Sequence, residues 1–204
     1  MKKTLLFVAA AMVSALSYGQ MLPNSGFEIW ENLQGGSNPY SEPEDWNTAN
    51  ECAELLNVQS VSQSADAHSG TSSAKLETKP TGLGAVIVNG VVTTATMICD
   101  PFNPGQTGGY AFTMRPDSLT FWAKYAPVDT DNGYAQIIMF NSAGDTIAYE
   151  KFDITVAVPT WTRYAVKINW MNTDMPAIAS VLFNSSWGNG NNGEGVVGSI
   201  MYVD

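Results

Sequence analysis

Cysteine and histidine are almost absent from this chain. Cys52, Cys99 and His68 are the only ones in 204 residues. Two cysteines and one histidine cannot complete a four-ligand structural zinc site. Nucleophile and metalloprotease signatures are missing too: there is no G-x-S-x-G and no H-E-x-x-H. His68, with no nucleophile motif beside it, is expected to be structural. Basic residues are few, nine Lys and Arg against 19 Asp and Glu, for a net charge of −10. Such a surface repels nucleic acid and anionic lipid. It suits neutral sugars, cations or a basic partner, and it also keeps an exported protein in solution.

Long apolar runs are missing apart from Leu5 to Leu16, which is too short to span a bilayer. Lys2 and Lys3 precede it and Ser17-Tyr18-Gly19 follows, with small residues where a signal peptidase reads them. Residues 1–19 therefore read as a signal peptide. Residues 20–204 read as a single domain, secreted or at the cell surface, with no membrane span. No cysteine sits at the cleavage point, which argues against a lipid anchor. Export permits Cys52 and Cys99 to pair, worth about 4 kcal/mol by chain entropy, or to stay as two buried thiols. The chain ends in Ser199-Ile200-Met201-Tyr202-Val203-Asp204, in the middle of a strand-like run, so a C-terminal truncation is expected.

Helical periodicity is absent as well. Short β-rich runs alternate with Gly, Pro, Asn and Asp clusters instead, the pattern of a sandwich or barrel. Strands are expected at Phe27 to Trp30, Leu55 to Ser60, Ser73 to Thr78, Ala85 to Ile98, Ser118 to Tyr125 and Tyr134 to Phe140. Others are expected at Thr146 to Phe152, Thr162 to Trp170, Ile178 to Phe183 and Ser199 to Val203. Asn89-Gly90 and Asn141 to Asp145 read as hairpin turns. Asn50 to Leu56 reads as a loop with one turn. Asp129 to Gly133 fails the spacing of a calcium loop and reads as a turn. Nine to eleven strands fit an all-β, jelly-roll β-sandwich of two antiparallel sheets.

Asn24-Ser25-Gly26-Phe27-Glu28-Ile29-Trp30 resembles the first strand of galactose-binding-like jelly-roll modules. Downstream come Pro43 to Asn50, Asp66 to Gly70, Ala74 to Thr78, Arg115 to Leu119, Lys124 to Pro127, Asn184 to Ser186, Gly195 to Ser199 and Tyr202 to Asp204. In this order the series resembles the carbohydrate metabolism domain family of exported bacterial β-sandwich proteins. The resemblance implies a structural Ca²⁺ held by Glu28 and Asp204, with backbone carbonyls of the turn from Gly70 to Ser73. It also implies a second acidic residue after Asp204.

Aromatic residues are plentiful, with six Trp and eight Tyr. Sugar rings present C–H faces that stack on aromatic rings, while amide and acidic groups bind their hydroxyls. Trp187, Asn189 and Asn191 share one Asn- and Gly-rich loop. Tyr40 and Trp46 belong to the polar stretch from Glu31 to Asp45 and its edge. These five form the expected carbohydrate-binding set, although Trp46 also belongs to the framework of the resembling family. Trp30, Trp122 and Trp170 lie in expected strands and read as core. Glu42, Glu44, Asp45, Glu51 and Glu54 form an acidic loop cluster, and a glycoside hydrolase needs two carboxyls facing each other across a sugar. Sequence cannot place such a pair. The expected function is an exported, non-catalytic carbohydrate-binding module of a cell-surface glycan system. A surface protein that binds another protein is the alternative, and a hydrolase comes third.

Overall fold

A computed structural model describes residues 21–100, 104–187 and 195–204. Two antiparallel sheets pack face to face. One has five strands in the order Val158–Lys167, Ser118–Ala126, Ile200–Val203, Ser73–Glu77, Val61–Ser64. The other has six. Its path runs Thr146–Ile154, Gly133–Phe140, Ile178–Asn184, Val91–Thr93, Asn47–Thr48, and Tyr110–Ala111 also pairs with Ile178–Asn184. Alternation along each strand sends every second side chain inward. Phe121, Ala123 and Tyr125 meet Val166, Met201 and Val203 from their own sheet. Ile137, Met139, Val181 and Phe183 face them from the other sheet. Burying such side chains contributes roughly 1.5–3 kcal/mol each.

Two local readings change. Leu55 to Ser60 is not a strand. Ala49–Ala53 forms a short helix capped by the Thr48 hydroxyl, Glu54–Leu56 a 3-10 turn, and the strand begins at Val61. Asn50 sets this shift. Its side chain is fully buried, donates to the carbonyls of Ser41 and Val61, and accepts from the amides of Ser60 and Val61. Asn89-Gly90 is not a hairpin turn either. Ile87–Val88 pairs with Lys79–Pro80, whereas Val91–Thr93 pairs with the six-stranded sheet. The glycine is needed for close approach: a Cβ on Gly90 would collide with the backbone of Leu76 and Glu77. The other expected turn forms as read, with the Asn141 amide donating to the Asp145 carbonyl between paired strands.

The stretch expected as a polar loop folds into a ribbon, Trp30–Gln34 against Pro39–Pro43. Phe27 lies before it, with φ +52° and its ring fully buried, so the expected first strand starts three residues later. Cys52 and Cys99 form a disulfide, tying the short helix to the end of the Thr96–Ile98 strand. Among the described residues no helix is long and apolar enough to cross a membrane.

Candidate functional site

The outer face of the five-stranded sheet carries an aromatic surface that is partly open to solvent. Register builds it. Trp122 pairs with Arg163 across one strand boundary, and Lys124 pairs with Tyr202 across another. Tyr202 then pairs with Lys75, and Lys75 with Ser62. Directly paired residues share a face, so these side chains form rows opposite the buried Phe121, Ala123 and Met201. Trp122, Trp161 and Tyr202 are half-buried. Trp122 is therefore not core, contrary to the expectation. Trp30 and Trp170 do pack against the core from partly buried positions.

His68 covers Trp122, its ring stacked 3.6 Å away at 12°. Trp161 meets the same histidine edge-on and Tyr202 at 6.5 Å. The Lys124 ammonium sits 5.0 Å from the Tyr202 ring and 5.5 Å from the Trp161 ring. Asp66 holds this group together, bonding to Lys124 through one carboxylate oxygen and accepting from Trp161 Nε1 at 3.1 Å through the other. The Lys124 bond, reinforced by Trp161, holds the Asp66 carboxyl below the ordinary carboxylate range. Beside the stack a shallow groove of about 260 Å³ is lined by His68, Ser69, Thr120, Trp122, Arg163 and Asp204. Sequence reasoning missed Trp161 and misplaced Trp122.

The loop bearing His68 is fixed by two carboxylates distant in sequence. Asp204 accepts from the amides of His68 and Ser69 and from the Ser69 hydroxyl. Glu28 accepts from the Thr71 amide and hydroxyl and from the Ser72 amide. The Thr71 hydroxyl and amide hold the Glu28 carboxyl below its usual range. Gly70 lies at φ +64°, where a Cβ would collide with Glu28 Oε1. Glu28, Gly70 and Asp204 thus meet at one loop. The Ser73 hydroxyl donates to the Asp66 carbonyl at 2.6 Å. Calcium takes six to eight oxygens. The loop offers N–H and O–H donors to both carboxylates. Among the described residues no group of three or more His, Cys, Asp or Glu side chains is placed to hold a metal.

The other expected binding residues lie elsewhere. Tyr40, with Glu31, Glu42, Asp45 and Glu51, lines an acidic groove of about 370 Å³ beside the ribbon. Trp46 touches this groove but is 4% exposed. It packs 4.9 Å from Phe27, and its Nε1 donates to the Pro23 carbonyl. Its ring is a wall of the core, not a platform for a sugar. Glu42 is equally buried and accepts from the Thr48 amide and hydroxyl. Burial pushes its carboxyl up to about 7, against the pull of those bonds. Glu54 has a structural partner set, accepting from the amides of Ser37 and Asn38.

Trp187 lies at the other sheet. Its ring stands edge-on to Tyr134 at 5.4 Å, and the Lys151 ammonium lies 4.7 Å from it. It does not line the groove that holds Tyr40. Asn189 and Asn191 fall outside the described residues. An apolar recess of about 210 Å³ between the sheets, lined by Leu22, Phe112, Leu119 and Met139 among others, holds no charged group.

No family model and no curated protein matches the chain. Solved structures share a similar β-sandwich at low identity. One is the enzymatically active domain of bacteriophage CBA120 tailspike protein 4, 18% identical over 88% of this chain, with a TM-score of 0.42. The chain spans 19% of that protein's length. A family 16 carbohydrate-binding module is 12% identical over 71% of this chain and 82% of its own, with a TM-score of 0.37. A family 61 carbohydrate-binding module, solved with β-1,4-galactotriose, is 10% identical over 90% of this chain and 92% of its own, with a TM-score of 0.41.

Proposed function

We propose that this chain is an exported, non-catalytic carbohydrate-binding module, of the kind found in the carbohydrate metabolism domain family, and that it binds glycan on the outer face of the five-stranded sheet. The observation that carries this reading is the half-exposed set of Trp122, Trp161 and Tyr202, with His68 stacked on the first. Burying the C–H face of a sugar against such rings releases water, and the ring quadrupole attracts the polarised C–H bonds. Sheet strands hold the rings, so little side-chain entropy is lost on binding. Asp66, Lys124 and Arg163 surround them with groups able to bond hydroxyls. No nucleophile is required.

The test is a glycan array probed with the chain from Gln20 onward, beside Trp161→Ala and Trp122→Ala. The expected result is binding by the parent and its loss in both variants, with unchanged circular dichroism. Full binding by both variants, or none by the parent to any glycan, would overturn the proposal.

Glu42 favours a second reading. A carboxyl raised to about 7, in a groove with Glu31, Asp45 and Glu51, has the protonation a glycosidic general acid needs. Release of reducing sugar from any polysaccharide, abolished by Glu42→Gln, would select it over the first reading.

A further inference from the structure

The chain is strongly acidic, yet its cations collect on the proposed binding face. Lys75, Lys124, Arg163 and Lys167 project from the outer side of the five-stranded sheet, as their pairing with Tyr202, Trp122 and Ser118 requires. Two of the four are engaged: Lys75 with Glu77 and Lys124 with Asp66. Among the described residues, Arg163 has neither an ion pair nor a side-chain hydrogen bond. It lies beside Trp122, on the groove that His68 and Asp204 also line. Asp204 is the one carboxylate among the groove's lining residues, and its oxygens already accept three bonds from His68 and Ser69. Asp204 keeps its charge while accepting these bonds, so Arg163 is the one cation among the groove's lining residues and the charged group there with free donors, although the whole molecule is negative.

We infer that the groove takes an anionic sugar, with Arg163 gripping the carboxylate of a uronic acid while the sugar lies against the His68–Trp122 stack that lines the groove. This rests on the carbohydrate-binding reading and names its ligand class. A guanidinium presents a planar fork of donors that matches a carboxylate in two parallel bonds. The groove's volume suits one sugar ring. The acidic remainder of the surface adds selectivity, because it repels any polyanion that does not place a charge at Arg163.

The chain from Gln20 onward is titrated with α-1,4-linked oligogalacturonate and with its fully methyl-esterified form, which keeps the rings and removes the charge. The same titrations are run on an array that sets other uronate chains and sulfated chains beside neutral homologues. A hydrogen bond to a charged group contributes about 1.5–3 kcal/mol. A uronate chain is therefore expected to bind at least about tenfold more tightly than its neutral counterpart. Arg163→Gln is expected to erase that preference while leaving the melting temperature unchanged. Equal affinity for charged and neutral chains would overturn the inference and leave carbohydrate binding standing. Binding confined to sulfated chains would overturn the uronate assignment. Binding to no glycan would remove both readings together.

Discussion

At the scale of single residues, Glu42 carries the clearest consequence. Its folded-state carboxyl, raised to about 7, lies above the ordinary value of 4.5. The folded protein therefore holds a proton that the unfolded chain releases. Stability is fully present below about pH 4.5 and declines as pH rises toward 7, by up to about 3 kcal/mol. Glu42→Gln keeps an acceptor for the Thr48 amide and hydroxyl and removes the charge. Its melting temperature is expected to exceed the parent's by about 6–12 °C at pH 8 and to match it near pH 4.5. A gap independent of pH, measured by thermal denaturation at both values, would contradict this account. The sequence showed Glu42 only as one of several acidic residues, because burial of a carboxyl depends on what packs over it. Trp122 is a different case. The alternation that turns Phe121 and Ala123 inward turns Trp122 outward, and this was legible from Ser118 to Tyr125 alone. Expecting every strand tryptophan in the core obscured it. Extending the Thr162 to Trp170 alternation back one residue puts Trp161 on the same side as Arg163.

At the scale of elements, Asn50 joins three segments at once. Its four bonds tie the short helix to the ribbon at Ser41 and to the strand entry at Ser60 and Val61. Asn50→Ala would leave two amides and two carbonyls without these partners, three of the four bonds being fully buried. An expected loss of about 3–5 kcal/mol follows, read from the urea midpoint. A loss under about 1 kcal/mol would mean that water replaces the side chain. Elements were legible where local pattern governs them. Ser118–Ala126, Gly133–Phe140 and Ile178–Asn184 lie close to their expected bounds. They were not legible where distant contacts decide. Asn89-Gly90 has the composition of a turn, but Gly90 is placed by the Leu76 and Glu77 backbone against it. The helix at Ala49–Ala53 is too short for periodicity to reveal.

At the scale of the whole molecule, the disulfide joins parts that only the fold brings near. Replacing Cys52 and Cys99 together by Ala releases a loop with a sequence separation of 47, an expected loss of about 4 kcal/mol. Glycan binding at 25 °C is expected to persist in this variant, because the aromatic face belongs to the other sheet. Loss of binding in a variant that still melts cooperatively would show the two regions to be coupled. The strand Ile200–Val203 lies between Ser118–Ala126 and Ser73–Glu77. During synthesis both flanking segments exist long before the one that joins them. A nascent chain therefore carries two unsatisfied β edges facing an open seam, each a template for pairing with a neighbour. The aromatic face and the interior beneath it are completed together when this strand seats between its neighbours.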